Sequence, residues 1–76
     1  MRRWAEEMVR DLVDRTDAVE VQLFDEEEAL VLEVTVDPTE MGRVIGRQGR
    51  TVQALRTLLE VAGAKQGVNY ELEILE

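Results

Sequence analysis

A pair of glycines, Gly46 and Gly49, interrupts a region in which apolar residues recur with the period of an α-helix. The residues before the pair predict a short helix from about Pro38 to Ile45, and those after it predict a second helix that begins near Arg50 or Thr51. Glycine adopts positive φ angles that other residues avoid, so Gly46 is expected to end the first helix. The chain is therefore predicted to turn sharply between two helices.

The first of these helices has a well-defined predicted start. Asp37 is expected to accept hydrogen bonds from free amides, and the preset φ of Pro38 suits the first helical position. Glu40, three residues after Asp37, can complete a capping box. The apolar residues of this helix are expected to face inward: Met41, Val44 and Ile45.

Downstream of the glycines the pattern predicts a long helix and then a strand. The apolar positions with helical spacing are Val52, Leu55, Leu58, Leu59 and Ala62. Gly63 is the predicted end of this helix, and residues 64–69, with Gly67 among them, are predicted to form a loop. In the last residues Tyr70, Leu72 and Ile74 alternate with side chains of the opposite face, as expected for a strand.

Two further segments alternate with the period of two that is typical of a half-buried strand. The first contains Val19, Val21 and Leu23, and the second contains Leu30, Leu32, Val34 and Val36. The second segment is more continuously apolar, so it is predicted to be the central strand. The acidic run 25–28 between them predicts a hairpin turn, and a solvated loop is favoured over a metal site there.

The chain opens with an amphipathic helix, since Trp4, Met8 and Leu12 recur every four residues. Its polar face is predicted to continue through Arg15, and Thr16-Asp17 is predicted to end it. The element order is therefore α-β-β-α-α-β in one α+β domain that covers residues 1–76. A right-handed crossover makes the last strand parallel to the second, which predicts a three-stranded mixed sheet covered on one face by three helices.

Charge is distributed unevenly along the chain. The protein has 9 basic and 17 acidic residues, a net charge of −8, yet residues 41–59 contain four arginines and no acid. The remainder therefore carries five basic residues and all 17 acidic ones. Such a balance argues against nucleic-acid binding through overall charge, but it favours a focused basic site around the glycines.

Several functional classes are disfavoured. The chain has no Cys and no His, so it lacks disulfides, thiol chemistry, the usual zinc ligands and the commonest general base. The mononucleotide P-loop pattern fails, because this glycine turn follows a predicted helix and has no lysine. No apolar run approaches the ~20 residues that span a bilayer. We therefore expect a cytoplasmic protein that is not an enzyme, with no cofactor, small-molecule substrate or membrane association.

The glycine turn can hold a phosphate. Without a Cβ, the backbone amides of Gly46 and Gly49 are open to a ligand, and the first amides of the following helix carry a partial positive charge. Arg47 and Arg50 can make charge-assisted hydrogen bonds to phosphate oxygens, and Gln48 can offer an amide donor. Arg43, one helical turn before Arg47, is expected to lie along the same rim.

The apolar residues before the turn suggest where bases would rest. Val44 and Ile45 can line a shallow floor beside the phosphates, which suits a single strand with unstacked bases better than a duplex. The alternative interpretation is a tight helix–helix connection in which both residues belong to the core. Arg56, six residues beyond Arg50, is expected to point elsewhere.

The run Val44-Ile45-Gly46-Arg47-Gln48-Gly49-Arg50 resembles the Ile-Gly-x-x-Gly signature of the K-homology (KH) RNA-binding domain, and the element order is like its type II, bacterial arrangement. The whole chain is similar to the KhpA family of small bacterial KH proteins, most densely from Val34 to Leu59.

This resemblance implies a non-enzymatic, cytoplasmic protein that binds single-stranded RNA, acts as an RNA chaperone or post-transcriptional regulator, and holds about four nucleotides. The family's loop residues correspond to Gly46, Arg47, Gln48 and Gly49, and its apolar groove to Val44 and Ile45. The resemblance also implies a homodimer, or pairing with a larger KH-containing partner linked to cell elongation and division. Two alternatives stay open: a protein-interaction module of the same fold, and binding of single-stranded DNA.

Overall fold

The sheet of the computed structural model, which describes residues 1–75, has three strands in the order β1 (Glu20–Asp25), β2 (Leu30–Thr35) and β3 (Tyr70–Leu75). Strand β2 pairs antiparallel with β1 and parallel with β3. In this register Val34 lies opposite Val21 on one side and Ile74 on the other. The predicted central strand and mixed sheet are therefore confirmed.

Three α-helices complete the fold, with short 3-10 turns at their junctions. Their bounds are α1 Arg2–Arg10, α2 Met41–Ile45 and α3 Arg50–Gln66, and the 3-10 turns are Thr16–Ala18, Pro38–Glu40 and Arg47–Gly49. The predicted order α-β-β-α-α-β is confirmed. Among residues 1–75, no helix is long and apolar enough to span a bilayer.

All three helices contribute to one core on one face of the sheet. Its buried members are Ala5, Val9, Val13, Val19, Val21, Leu32, Val34, Val36, Val44, Val52, Leu55, Leu59 and Leu72. The opposite face carries mainly polar side chains: Glu20, Gln22, Glu33, Thr35, Glu71 and Glu73. Because the helices cover only one face, most residues of the other face are polar; its apolar members are Phe24, Val31 and Leu75.

The first helix is shorter than the pattern predicts, since α1 ends at Arg10 and not near Thr16. The amides of Asp14 and Arg15 do not continue the helical ladder. They donate to the two carboxylate oxygens of Glu40, at 2.6 and 2.9 Å. The predicted capping box between Asp37 and Glu40 is therefore wrong. The Glu40 carboxylate instead binds the segment after α1. The predicted cap of Asp37 is confirmed by its bond from the Thr39 amide, at 2.9 Å.

The third helix is longer than predicted, because Gly63 lies inside α3 and Gly67 ends it. Gly67 adopts φ 73°, ψ 28°, and its N–H donates to the Gly63 carbonyl. The N–H of Val68 reaches the same carbonyl at 2.9 Å, so the 5→1 bond of an αL cap is joined by the 6→1 bond that also occurs in a Schellman motif. The predicted loop 64–69 is thus reduced to the three residues that precede Tyr70.

Candidate nucleic-acid interface

The turn between α2 and α3 is built from three residues with positive φ. Gly46 has φ 80°, ψ 167°, a conformation that is essentially restricted to glycine, and it ends α2 as predicted. Gln48 (φ 56°) and Gly49 (φ 74°) are both left-handed. A left-handed glutamine was not predicted. It is uncommon for a residue with a Cβ and makes the backbone fold back within four residues.

The backbone amides of this turn divide into two groups. Gly46 donates to the Gly42 carbonyl at 2.8 Å, Gly49 donates to Gly46 at 3.0 Å, and Arg50 donates to Arg47. The expectation that the first amide of α3 is free is therefore wrong for Arg50. By contrast, no hydrogen bond joins the N–H of Arg47 or Gln48 to an acceptor within residues 1–75. The two amides between the glycines are therefore donors available to an anion.

The surroundings of Gly46 and Gly49 differ in the space they would leave for a Cβ. A Cβ on Gly46 would overlap the side chain of Thr51 and lie 2.8 Å from its backbone nitrogen. A Cβ on Gly49 would meet no described atom within 4 Å. Gly46 is thus needed for the internal packing of the turn, whereas Gly49 leaves an open surface toward solvent.

The four arginines of the basic segment have different surroundings. Arg47 and Arg50 are exposed, and within the part of the chain that the structure describes neither forms an ion pair. Arg50 makes only a long contact, 3.5 Å, to the Gln48 side chain. These two guanidinium groups are the positive charges that the turn presents to a ligand.

Arg43 is already paired. Its Nη1 donates to Asp14 Oδ2 at 2.8 Å and lies 3.5 Å from Glu40 Oε2. The hydrogen bond to Asp14, with the charges of Asp14 and Glu40, raises the pKa of Arg43 above its usual value, so the group stays charged. The partner Asp14 is 29 positions away in sequence.

Glu40 anchors this end of the site. The residue is buried, with 6% exposure, and both of its carboxylate oxygens accept backbone N–H groups from the segment after α1. Because Glu40 immediately precedes α2, it ties the start of that helix to residues 14 and 15. No local pattern predicts this role, since the same Asp-Pro-x-Glu run is consistent with a capping box.

The two apolar residues before the turn, Val44 and Ile45, differ in solvent exposure. Val44 has 0% exposure and belongs to the core, so it offers no surface to a base. This corrects the expectation that Val44 lines an accessible floor. Ile45 was predicted to face the core, but it is 36% exposed. Of these two residues, Ile45 is the one that presents an apolar surface beside the glycine turn.

Arg56 links the turn to a neighbouring groove. It lines an open depression beside Gln48 and Gly49, and also a groove between α3 and β3. Its Nη2 lies 3.4 Å from the carbonyl of Leu72 on the edge strand. The expectation that Arg56 points elsewhere is not met, because Arg56 lines this depression together with Arg50. Two features of the sequence point to Arg56. It lies in the acid-free segment, and its helical spacing from Gln53 and from Gly49, the residue before α3, puts the three on one side of the helix axis.

A scan against protein-family models gives the match described as KhpA/KhpB, KH domain, over residues 2–74. The chain belongs to the KhpA/KhpB family of KH domains. The resemblance seen in the sequence is thereby confirmed, and the glycine turn lies inside the matched region.

Curated relatives agree with this family. RNA-binding protein KhpA of Aquifex aeolicus is 49% identical over 67 residues, which cover 88% of this chain and 85% of that protein. RNA-binding protein KhpA of Halalkalibacterium halodurans is 40% identical over 76 residues and 100% of both chains. The protein of the same name in Borreliella burgdorferi is 39% identical over 69 residues, 91% of this chain and 84% of that protein. No solved structure matches the chain.

The groove between α3 and β3 of this KH domain is acidic along its rim. Glu60, Glu71 and Glu73 line it together with Arg56, Tyr70 and Leu72. Within residues 1–75, no group of three or more Asp and Glu side chains is arranged to hold a metal ion. These carboxylates would repel a phosphate chain, so the turn, and not this groove, is the candidate surface for a phosphate.

Proposed function

We propose that this KH-domain protein binds single-stranded RNA as a non-catalytic chaperone or post-transcriptional regulator in the cytoplasm. The observation that carries the proposal is the pair of unbonded amides at Arg47 and Gln48, flanked by the unpaired guanidinium groups of Arg47 and Arg50. Backbone N–H groups in a tight turn form a concave anion site, and charged side chains add strong bonds to phosphate oxygens. The names of the KhpA relatives support RNA as the ligand.

The distribution of charge suggests how the strand would lie. Phosphates would sit on the turn, since that surface has free cations and the adjoining groove has three carboxylates. The bases would then lie over Ile45 and extend toward Arg56, where apolar and hydrogen-bonding groups are available. About four nucleotides would be held, as the family resemblance implies, and they must be unstacked to reach this surface.

The test is a double substitution in the turn, R47D/Q48D, which changes the local charge by three units. Asp is tolerated in the left-handed region better than most residues, so the fold should persist. We expect binding of a fluorescein-labelled 12-nucleotide oligouridine to weaken by more than tenfold, because two anion-binding groups become anionic. Fluorescence anisotropy measures binding, and thermal unfolding monitors the fold.

A matched control distinguishes the site from overall charge. R2D/R3Q makes the same change in charge at two exposed positions of α1. An equal loss of binding in both variants would refute the proposed site. A parallel titration with oligothymidine separates RNA from single-stranded DNA, since phosphate contacts alone do not detect a 2′-hydroxyl.

A second candidate activity, pairing with another KH domain, is favoured by an apolar surface on α3. Leu58 and Val61 are 49% and 52% exposed, and they border an apolar concavity with Met1, Trp4 and Ala62. In a homodimer this surface would be self-complementary, with α3 of each copy in the concavity of the other. Two weak RNA sites on one particle would then gain effective concentration for one strand.

The test of self-association is V61E, because Val61 is exposed and its replacement should not disturb the core. We expect wild-type protein to sediment as a dimer at high concentration and V61E as a monomer. L75E, on the opposite sheet face, is the control and should keep the dimer mass. If V61E and wild type have the same mass, this surface does not mediate self-association. A second KH-domain protein is the alternative partner for the same surface.

A further inference from the structure

The contact between Arg43 and Asp14 places a carboxylate where a phosphate could bind. Arg43 Nη1 lies 2.8 Å from Asp14 Oδ2, and the side chains are 55% and 81% exposed. A carboxylate and a phosphate present similar acceptors to a guanidinium group. Asp14 therefore occupies Arg43 with the same chemistry that an RNA backbone would use.

The position of Arg43 relative to the turn makes this contact relevant to binding. Arg43 lies in α2, three residues before Gly46, the glycine that ends this helix and opens the turn. Within the described residues, Arg47 and Arg50 of the turn form no ion pair. Arg43 precedes them in the chain and differs from them, because an internal acid neutralises its charge.

The surroundings of the pair make it exchangeable. Exposed ion pairs contribute little to stability, because water screens them and two side chains must be ordered. Glu40 is buried and accepts the amides of Asp14 and Arg15, so the backbone of this segment does not need the Asp14 carboxylate. Glu40 Oε2 also lies 3.5 Å from Arg43 Nη1, but it is held by the Asp14 amide, so the exposed Asp14 side chain is the acid that a phosphate can replace. The Asp14 side chain can leave Arg43 while the fold stays intact.

We propose that Asp14 is an autoinhibitory competitor for RNA, which weakens binding by neutralising Arg43 until a phosphate displaces it. This inference rests on the proposed RNA-binding function of the turn. It predicts that the affinity for RNA is set partly by an acid outside the glycine turn, on the segment that follows α1.

The experiment compares D14N with D17N in titrations of the labelled 12-nucleotide oligouridine. Both variants lose one negative charge, but Asp17 contacts Arg15 and not Arg43. We expect D14N to bind about two- to fivefold more tightly than D17N at low salt, and the slope of log affinity against log salt to become steeper by about 0.7, the value for one added phosphate contact on a single strand. D14N/R43Q should lose this gain.

The outcomes separate the inference from the function on which it rests. If R47D/Q48D abolishes binding but D14N and D17N behave alike, the competition is refuted and the RNA site stands. If wild-type protein does not bind the oligonucleotide, both fail. Thermal unfolding confirms that each variant is folded, and D14S provides a second substitution should D14N be unstable. A gain that persists in D14N/R43Q also overturns the proposal.

Discussion

The side chain of Thr51, in the first turn of α3, occupies the space beside Gly46 that a Cβ would fill. Gly46 also has a φ/ψ pair that is essentially restricted to glycine. The entry of the turn is therefore closed by packing, while its exit at Gly49 is open. This asymmetry leads to different expectations for two substitutions that a motif alone would treat as equivalent.

G46A is expected to destabilise the protein by more than about 2 kcal/mol, because backbone strain adds to a steric overlap. G49A should cost only about 1 kcal/mol, the usual penalty for a left-handed alanine, since its methyl group meets open space. Urea unfolding measures both. In RNA titrations of G49A, the methyl group should block the approach of the strand. Unchanged binding by a folded G49A would show that RNA does not approach Gly49.

Glu40 gives a prediction about stability. In E40Q, one of the two carboxylate oxygens is replaced by a donor that faces the N–H of Asp14 or Arg15. An unsatisfied buried donor costs about 1–3 kcal/mol, so the midpoint of urea unfolding should fall by a corresponding amount. E27Q in the exposed hairpin should change stability by less than about 0.5 kcal/mol. Equal stability of E40Q and E27Q would contradict the anchoring role.

The two glycines inside helices should respond to alanine with opposite signs. A Cβ on Gly42 would meet no described atom within 4 Å, so G42A should stabilise the protein by up to about 1 kcal/mol through helix propensity. A Cβ on Gly63 would overlap the carbonyl oxygen of Val68 and lie 3.2 Å from the ring of Tyr70. G63A should therefore destabilise the turn into β3 despite the same gain in propensity. Thermal unfolding of the pair decides, and two stabilising substitutions would be inconsistent with this packing.

Asp37 makes stability depend on pH. Hydrogen bonds from Thr39, first from its hydroxyl and then from its backbone N–H, hold the pKa of Asp37 below its usual value of 3.8. Because the folded pKa is lowered, this contribution is fully present above the unfolded pKa and is lost as pH falls through the folded value. D37A should unfold a few degrees lower than wild type at pH 7, since a helix cap is lost.

The difference between wild type and D37A should be constant from pH 7 to about 5 and decrease below about pH 4. D37N is the matched control, because Asn can accept a bond from the Thr39 amide but does not titrate. It should keep part of the stability with no change in this pH range. A difference that does not decrease in acid would exclude Asp37 as its origin.

Much of the fold follows from local patterns. The alternation in β1, β2 and β3 predicts both the strands and their inward faces, because a sheet covered on one side needs a period of two. Asp37 and Gly46 predict the ends of the segment that contains α2, since capping and positive φ are properties of a few adjacent residues. The acid-free charge pattern likewise predicts the position of the candidate site.

The features that the pattern did not predict depend on residues distant in sequence. α1 ends at Arg10 because Glu40 binds the amides of residues 14 and 15, which the helical pattern would assign to the helix. Gly63 was predicted to end α3, but it lies inside the helix and packs against the backbone of Val68 in the turn before β3. A glycine is needed there because a Cβ would overlap that backbone, not because the helix ends there. In both cases a tertiary contact overrides a local signal.

The sequence alone therefore determined the element order, the family and the location of the basic glycine turn. Each of these depends on neighbouring residues or on the short repeat of apolar residues along a helix or strand. The tertiary structure decided which groups of that turn are accessible. It buries Val44, exposes Ile45, leaves the amides of Arg47 and Gln48 without internal acceptors within residues 1–75, and brings Asp14 to Arg43. Accessibility and pairing depend on how separate segments pack together, and no local pattern records that arrangement.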